Sequence, residues 1–299
     1  MITLSRVTKK FGPVTAAAEV SLKVAPGEIF GLVGPDGAGK TTVIRMLTGV
    51  LAPSSGTLSI LGADEPEKVK DQLGYVPQKF SLYGDLTVME NIRVIGMLYG
   101  RKQPEIDALA SEILGFTKLL PFKDRLADNL SGGMKQKLAL AAGLMHRPRI
   151  YFLDEPTTGV DPVSRREFWQ MLYRLNKAGT TVFVSTPYMD EAELCTRVAF
   201  MHGGRIVSCD TPEGLRRSYP YKVLELAAAA RNIKALLAGC RLRDVNIFGE
   251  KYHLVVDDAA AAKEAVLEAL AAAAVPVASL TEVAPTLEDV FVALASEVV

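Results

Sequence analysis

Residues 34–42 read Gly34-Pro35-Asp36-Gly37-Ala38-Gly39-Lys40-Thr41-Thr42, which fits the spacing of a phosphate-binding loop. Residues 29–33 before it form an apolar, strand-like segment, and residues 43–47 after it are typical of the first turns of a helix. Glycines let such a loop curl closely around a polyphosphate, so that backbone N–H groups and the positive end of the helix converge on its oxygens. Lys40 adds a cation near the terminal phosphates, and Thr41 offers a hydroxyl to Mg²⁺. The stretch therefore predicts a site for a nucleotide polyphosphate with Mg²⁺.

The composition limits the classes of protein to which the chain can belong. Its 299 residues suffice for one large or two medium domains, and 34 basic residues balance 34 acidic ones, so we expect no nucleic-acid partner. Cys195, Cys209 and Cys240 are widely spaced without a C-x-x-C pair, which favours a reducing compartment and opposes a structural zinc site. There is no run of 18 apolar residues and no signal-peptide pattern at the N-terminus, so we expect a cytoplasmic protein whose membrane contact is peripheral.

The segments before and after the loop alternate between strand and helix patterns. Residues 2–32 indicate short strands, with Phe11 at a turn where base stacking and core packing are both plausible roles. Another predicted strand ends at Gln78. Apolar residues then recur every three or four positions from residue 86 to about 147, which predicts an inserted helical subdomain.

Two further stretches carry polar groups at the ends of predicted elements. Ser131 precedes Gly132 and Gly133 at the start of an Ala/Leu-rich helix, where it is suited to cap the helix and leave backbone N–H groups open to an anion. Residues 150–155 are an apolar run ending in Asp154 and Glu155, which predicts a strand buried on both faces with carboxylates at its carboxyl end. Beside a phosphate loop, Asp154 is placed to hold Mg²⁺ and Glu155 to orient or deprotonate a water molecule.

In this order, the phosphate loop, Gln78, Leu130-Ser131-Gly132-Gly133, residues 150–155 and Gly159-Val160-Asp161 closely resemble the nucleotide-binding domain of ABC transporters. The resemblance covers residues 2 to about 218. It implies an α/β fold of the P-loop NTPase type, with a mixed sheet core, a β-subdomain and the helical subdomain, followed by a small C-terminal α+β domain.

The resemblance also assigns roles to individual residues. Residues 34–42 would be the Walker A loop that binds ATP with Mg²⁺, and Phe11 would stack on the adenine, where the family usually has tyrosine. Asp36 stands where the family often has asparagine, and we give it no separate role within the loop. Gln78 would contact Mg²⁺ and take part in catalysis, Asp154 would be the Walker B acid and Glu155 the catalytic base. Asp161 would lie at a head-to-tail dimer seam, where Ser131, Gly132 and Gly133 of one subunit cover the nucleotide held by the other.

One position departs from the family. After the predicted strand 181–186 the family normally places a switch histidine, which contacts the γ-phosphate, whereas this chain has Pro187. Proline has no side-chain donor and no backbone N–H. We interpret the chain's three histidines, His146, His202 and His253, as surface or turn residues that do not replace it. The departure predicts slow turnover in the chain's own site and favours a heterodimer with a second nucleotide-binding domain over a homodimer.

The tail, residues 219–299, is richer in alanine and poorer in glycine than the rest. Its pattern predicts a β-α-β-β-α-β order and a last helix that begins at a capping box in Thr286-Leu287-Glu288-Asp289. We expect its alanine-rich helix, Asp258 through Ala274, to pack on its own sheet. Residues 285–291 resemble the tails of ABC-2-type exporters of drugs, antibiotics or polysaccharides. A role in regulation or dimer contact is the expectation for this domain.

These features lead to one hypothesis and two alternatives. The hypothesis is an ATPase subunit of a membrane exporter, which acts through separate permease subunits at the cytoplasmic face of the membrane. The first alternative is a soluble ABC ATPase that acts on DNA or ribosomes; the neutral charge and the absence of a long coiled-coil insertion oppose it. The second is a nucleotide-gated structural subunit that barely cleaves ATP; Pro187 favours it, and Lys40 and Glu155 oppose it.

Overall fold

The computed structural model describes residues 1–230 and 232–296. The chain divides after Pro212 into two compact units. This division lies close to the boundary between residues 218 and 219 that the change in composition predicts. Residues 297–299, the end of the predicted tail domain, lie outside the described residues.

The first unit contains both strands and helices, as the sequence predicts. The elements of its first half are β1 (Ile2–Phe11), β2 (Val14–Val24), β3 (Ile29–Val33), α1 (Lys40–Leu47), β4 (Ser55–Ile60) and β5 (Leu73–Val76). Those of its second half are α2 (Val88–Leu98), α3 (Gln103–Phe116), α4 (Gly132–Gly143), β6 (Ile150–Asp154), α5 (Pro162–Lys177), β7 (Thr181–Thr186), α6 (Met189–Ala192), β8 (Arg197–His202) and β9 (Arg205–Asp210).

A six-stranded sheet forms the centre of the first unit, all of whose residues are described. Its strand order is β5-β6-β7-β3-β8-β9, and each neighbouring pair is parallel except β8 with β9. Every residue of β6 is buried, which confirms the prediction of a strand covered on both faces. The carboxyl ends of β6, β7 and β3 meet at one edge of this sheet, where open α/β sheets bind their ligands.

A second, antiparallel sheet with the order β2-β1-β4 shares one hydrophobic core with the central sheet and α1. Leu4, Ile44, Phe152 and Phe183 are members of this core and are almost completely buried. Full burial of side chains of this size stabilises the fold by roughly 1.5–3 kcal/mol each. The predicted α/β class with a mixed core sheet and a β-subdomain is confirmed.

Helices α2, α3 and α4 lie within the helical insertion predicted for residues 86–147. A capping box begins α2, because the Thr87 hydroxyl accepts a bond from the Glu90 N–H at 3.2 Å and the Glu90 carboxylate accepts one from the Thr87 N–H at 2.7 Å. Val88 and Ile92 are fully buried, but Leu98 is 72% exposed. The apolar spacing therefore predicts the helix correctly and its buried face only in part.

The second unit has the predicted β-α-β-β-α-β order, preceded by one short helix. Its elements are α7 (Pro212–Arg217), β10 (Lys222–Ala228), α8 (Ile233–Leu236), β11 (Asp244–Phe248), β12 (Lys251–Val256), α9 (Ala259–Ala272), β13 (Val277–Val283) and α10 (Leu287–Ser296). The strands form an antiparallel sheet in the order β11-β12-β10-β13.

The alanine-rich helix α9 packs on this sheet, as expected. Its Val266 and Leu270 are fully buried in one cluster with Leu224 and Leu254. Along the described residues, no helix has both the length and the apolar content required to cross a bilayer.

The prediction that His253 is a surface or turn residue is wrong. His253 lies in β12 with only 2% of its surface exposed, and its Nδ1 lies 3.0 Å from Asp289 Oδ1. Asp289 also closes the predicted capping box of α10, since its Oδ2 accepts hydrogen bonds from the N–H and the hydroxyl of Thr286. The error arises because a strand can be covered on its second face by a helix that follows it far along the chain. His146 and His202 are only half-buried.

Candidate nucleotide site

The predicted phosphate loop connects β3 to α1 at the carboxyl edge of the central sheet. Gly39 precedes α1 with φ +104°, and a Cβ there would lie 2.2 Å from the carbonyl oxygen of Ala16. Gly34 has no room for a side chain either, because a Cβ would lie 2.1 Å from the carbonyl oxygen of Met201. No side chain caps the first turn of α1, so its N–H groups remain open to an anion. The loop therefore fits a phosphate group by both its shape and its open amides.

Lys40 lies inside this loop and is 3% exposed. Its Nζ donates hydrogen bonds to the carbonyl oxygens of Gly34, at 2.7 Å, and Pro35, at 2.9 Å. The same atom lies 3.1 Å from Glu155 Oε1. A buried ammonium group needs such partners, and phosphate oxygens would be equally suitable ones.

Asp154 ends β6 beside the first turn of α1. Its Oδ1 accepts hydrogen bonds from Thr41 Oγ1 at 3.1 Å and from Ser185 Oγ at 2.7 Å. Its Oδ2 is buried and has no hydrogen-bond partner among the described residues. Burial raises the pKa of the Asp154 carboxyl group, and the hydrogen bonds from Ser185 and Thr41 offset part of that rise.

This donor set fits Mg²⁺. An unpartnered buried carboxylate oxygen beside a threonine hydroxyl supplies the oxygen ligands that Mg²⁺ prefers. Asp154 and Thr41 would hold the ion, and Gln78 contributes a side-chain amide nearby. Bound there, Mg²⁺ would neutralise negative charge on phosphate oxygens.

Glu155, the predicted catalytic base, directly follows β6. Its Oε2 accepts a hydrogen bond from Gln78 Nε2 at 2.9 Å, so the structure brings together two residues that are 77 positions apart. The backbone of Glu155 has φ +48°, in the left-handed region that non-glycine residues rarely adopt. Its N–H donates to the carbonyl oxygen of Ser185 at 3.1 Å, a contact that holds this strained turn in place.

Phe11 ends β1 at a hairpin turn, as the sequence indicates. Its ring is 49% exposed, and Lys9 Nζ lies 5.3 Å from the ring centroid. The exposed ring argues against a core role for Phe11. Since the next strand of this hairpin brings Ala16 against Gly39, Phe11 lies on the hairpin that contacts the phosphate loop.

Residues 131–133, which are predicted to cover the partner's nucleotide, are called the signature residues here. They lie beside the predicted dimer-seam residue Asp161, at the starts of α4 and α5. Ser131 caps α4 and accepts a hydrogen bond from the Met134 N–H at 3.3 Å. Asp161 caps α5 and accepts one from the Ser164 N–H at 2.9 Å, and the hydrogen bonds of Ser164 hold the pKa of its carboxyl group below the usual range. Gly133 packs so closely on Ser164 that a Cβ would lie 2.7 Å from the Ser164 Cβ.

These two helix starts are separate from the phosphate loop of the same chain. Across the described residues, no hydrogen bond or ion pair joins residues 131–133 to residues 34–42. The structure therefore brings together Lys40, Thr41, Gln78, Asp154 and Glu155, but does not bring the signature residues to them.

Pro187 follows β7 immediately beside the phosphate loop. Thr186 pairs in register with Val33, and its carbonyl oxygen accepts a hydrogen bond from the Gly34 N–H at 3.3 Å. The N–H of Tyr188 donates to Thr186 Oγ1 at 3.1 Å. Residue 187 thus directly follows the strand end that contacts the first residue of the phosphate loop, and proline has neither a side-chain donor nor a backbone N–H.

Sequence reasoning missed two residues that complete the site. Ser185 bonds both Asp154 and the backbone of Glu155, and Met201 closes on the first glycine of the loop. Neither residue lies in a motif. The only signal for these two residues is that they lie in β7 and β8, the strands on either side of β3 in the sheet.

Similarity to known proteins agrees with this geometry. Residues 17–158 match the family profile described as ABC transporter, and residues 211–295 match the profile of the C-terminal domain of DrrA1-3-like ATP-binding proteins. The linearmycin resistance ATP-binding protein LnrL of Bacillus subtilis is 34% identical to the chain, and the match covers 98% of each. The chain belongs to the family of ABC transporter ATP-binding proteins. The predicted family resemblance is confirmed.

Two other relatives match this ABC protein over about 72% of its length. The probable multidrug ABC transporter ATP-binding protein YbhF of Escherichia coli is 46% identical over 222 residues, which are 72% of this chain and 38% of YbhF. The chain therefore spans well under half the length of that relative. The Nod factor export ATP-binding protein I of Paraburkholderia xenovorans is 40% identical, with 72% of each protein covered.

Among solved structures, the ABC protein resembles a dimeric ATP-binding cassette in a post-hydrolysis state, bound to ADP and Pi. The TM-score is 0.66 at 28% identity, and the match covers 71% of this chain and 98% of that one.

Proposed function

We propose that this chain is the ATP-binding subunit of an ABC-type exporter, and that it binds and hydrolyses MgATP. The observation that carries the proposal is one cluster at the phosphate loop. In it Lys40 and Gln78 both contact Glu155, and the neighbouring Asp154 has a buried oxygen without a hydrogen-bond partner among the described residues. A cation for phosphate, an acid for Mg²⁺ and a base for water are the groups that phosphoryl transfer to water needs.

In the proposed reaction, a water oxygen attacks the γ-phosphorus of ATP. The bond to the oxygen that bridges the β- and γ-phosphates breaks, so that ADP leaves, and the water proton passes to the Glu155 carboxylate. Gln78 holds that carboxylate in place, and the amides of the phosphate loop with Lys40 stabilise the charge on the phosphate oxygens.

We further propose that the complete site forms only in a dimer. The start of α4, residues 131–133, would cover the nucleotide of the partner with its exposed residues Ser131 and Gly132, and Asp161 at the start of α5 would lie at the seam. Pro187 favours a heterodimer, in which this chain's signature residues serve a partner site that retains a switch histidine.

Separate permease subunits are the proposed membrane partners, and the chain would lie peripherally at the cytoplasmic face of the membrane. The names of three relatives refer to multidrug transport, Nod factor export and linearmycin resistance, which supports export as the direction of transport. The match of residues 211–295 to a DrrA-like domain supports the same class.

A second candidate function is that of a nucleotide-gated subunit whose ATP closes the dimer but is barely cleaved. Pro187 is the specific observation in its favour. The two functions are separated by an assay of the complex assembled with its permease. Sustained phosphate release supports the ATPase, and stable trapping of uncleaved ATP supports the nucleotide-gated subunit.

The test of the proposed function starts with the purified chain. Fluorescent ATP should bind only with Mg²⁺, and Lys40→Ala should abolish that binding, whereas Lys177→Ala, which removes an exposed lysine at the end of α5, should not. Glu155→Gln should bind ATP and release no phosphate. Unchanged binding by Lys40→Ala would refute the site.

A further inference from the structure

Glu191 is a buried carboxylate to which no catalytic role has been given. It belongs to α6, the short helix after Pro187, and is 1% exposed. The hydroxyl of Thr157 donates a hydrogen bond to its Oε1, and Thr186 Oγ1 donates one to its Oε2 at 2.6 Å. Arg165 Nε lies 3.6 Å from the same carboxylate and supplies the opposite charge. A buried carboxylate with several partners of this kind holds its neighbours rigidly.

Two of these partners belong to segments of the nucleotide site. Thr157 lies two residues after Glu155 and is 1% exposed. Thr186 immediately precedes Pro187, is fully buried, and accepts a hydrogen bond from the N–H of Gly34, the first residue of the phosphate loop. The Glu191 carboxylate therefore connects the segment of the catalytic base to the strand end that contacts the phosphate loop.

The third partner, Arg165, extends this connection to the proposed dimer seam. Arg165 lies in the first turns of α5, the helix that Asp161 caps. Its guanidinium carbon lies 4.4 Å from the centroid of the Tyr188 ring. Its Nη1 also lies 3.4 Å from Asp190, whose side chain is largely exposed. Arg165 thus holds the segment after Pro187 against the helix that begins at the seam.

We propose that Glu191 is a positioning residue for ATP hydrolysis, which couples the phosphate loop, the Glu155 segment and the start of α5 through Thr186, Thr157 and Arg165. The proposal rests on the proposed ATPase function. Because the left-handed backbone of Glu155 persists only where its surroundings enforce it, an anchor two residues away determines where its carboxylate points. A shift of that carboxylate would slow the proton transfer without weakening the grip of Lys40 on the phosphates.

The experiment compares Glu191→Ala with Glu28→Ala in the full-length chain. Glu28 is a matched control, since its carboxylate is largely buried, pairs with Arg197 at 3.2 Å and accepts a bond from the Ala25 N–H. It lies just before β3, at the edge of the sheet opposite the nucleotide site. Both variants should lower the melting temperature, so that stability alone does not distinguish them.

Amide hydrogen exchange tests the positioning role without any need for turnover. In Glu191→Ala, peptides that cover residues 155–161 should exchange at least about tenfold faster than in the wild type, whereas peptides that cover residues 33–42, which hold the phosphates, should exchange only slightly faster. Glu28→Ala should leave both peptides unchanged. Unchanged exchange of residues 155–161 in Glu191→Ala would overturn the proposal, even if the chain hydrolyses ATP.

Phosphate release tests whether Glu191 affects the rate of ATP hydrolysis. Glu191→Ala should lower kcat on the order of tenfold while the KM for ATP stays within about twofold. Glu191→Gln keeps one oxygen that accepts from a threonine hydroxyl, and its NH2 group can donate to the other hydroxyl, so this variant should recover most of the rate. A loss of ATP affinity at unchanged kcat would contradict the positioning role. The ATPase proposal itself fails separately, if the wild type releases no more phosphate than Glu155→Gln.

Discussion

Replacement of Pro187 by histidine should raise the rate of ATP hydrolysis. Residue 187 follows β7, whose last residue accepts a hydrogen bond from the first amide of the phosphate loop at 3.3 Å. An imidazole at this position would add a hydrogen-bond donor close to a phosphate held in the loop. Pro187→His therefore adds the side-chain donor that the resemblance to the family leads us to expect at this position.

The magnitude follows from two opposing effects. A donor to charge that develops in the transition state typically changes the rate by about 10²–10³. Loss of the proline ring frees the backbone of the unfolded chain and costs roughly 0.4–1 kcal/mol of stability. That cost lowers the melting temperature but leaves the folded site populated, because domains of this kind are stable by about 5–15 kcal/mol. We therefore expect a net increase in kcat of at least about tenfold.

The assay is phosphate release by the purified chain at saturating MgATP. Pro187→Ala is the matched control, because it removes the ring and restores the backbone N–H without adding an imidazole. The background rate of each variant, measured with Glu155→Gln added to it, is subtracted from the rate of that variant. Equal rates for Pro187→His and Pro187→Ala would refute the reasoning, since the missing imidazole would then not limit turnover.

Three further predictions concern the phosphate loop, the stacking of Phe11 on adenine and the half-buried His146. Gly34→Ala should lower the affinity for ATP more than about tenfold. The Cβ of the alanine would lie 2.1 Å from the Met201 carbonyl oxygen, so the loop must shift, and a titration with fluorescent ATP measures the affinity. Phe11→Ala should weaken ATP binding by about 1–3 kcal/mol through lost stacking, while Phe11→Tyr should not, and equal affinities would exclude the stacking role. Burial lowers the pKa of His146, whose Nε2 lies 2.8 Å from the Leu73 carbonyl oxygen. The unfolded chain therefore binds the proton more readily than the folded chain, and the free energy of unfolding falls as the pH drops below about 6.5. The urea midpoints at pH 7.5 and 5.5 should therefore differ less in His146→Gln than in the wild type.

Much of the site is predictable from short stretches of sequence. The phosphate loop, the capping residue Ser131 and the strand that ends in Asp154 each depend on a few contiguous residues and their local backbone preferences. The proline at position 187 is likewise visible in the sequence.

The fold decides which of these stretches meet. Gln78 and Asp154 reach the loop because β5, β6, β7 and β3 are adjacent in the sheet. That order follows from packing over the whole first unit, and no window of sequence contains it. Ser185 and Glu191 escaped prediction for the same reason, since each acts on partners in other strands or helices. The burial of His253 depends in the same way on α10, which covers its strand from 36 positions further along the chain.

The sequence by itself thus determined the phosphate-binding loop and the family, because backbone conformation in a glycine-rich loop and the charges of its residues are local properties. Only the tertiary structure decided that Lys40, Gln78 and Glu155 share one cluster, that Asp154 keeps an unpartnered oxygen, and that Glu191 joins the segments around them. These are contacts across strands, and they form only when the hydrophobic core brings the carboxyl ends of the strands to the same edge.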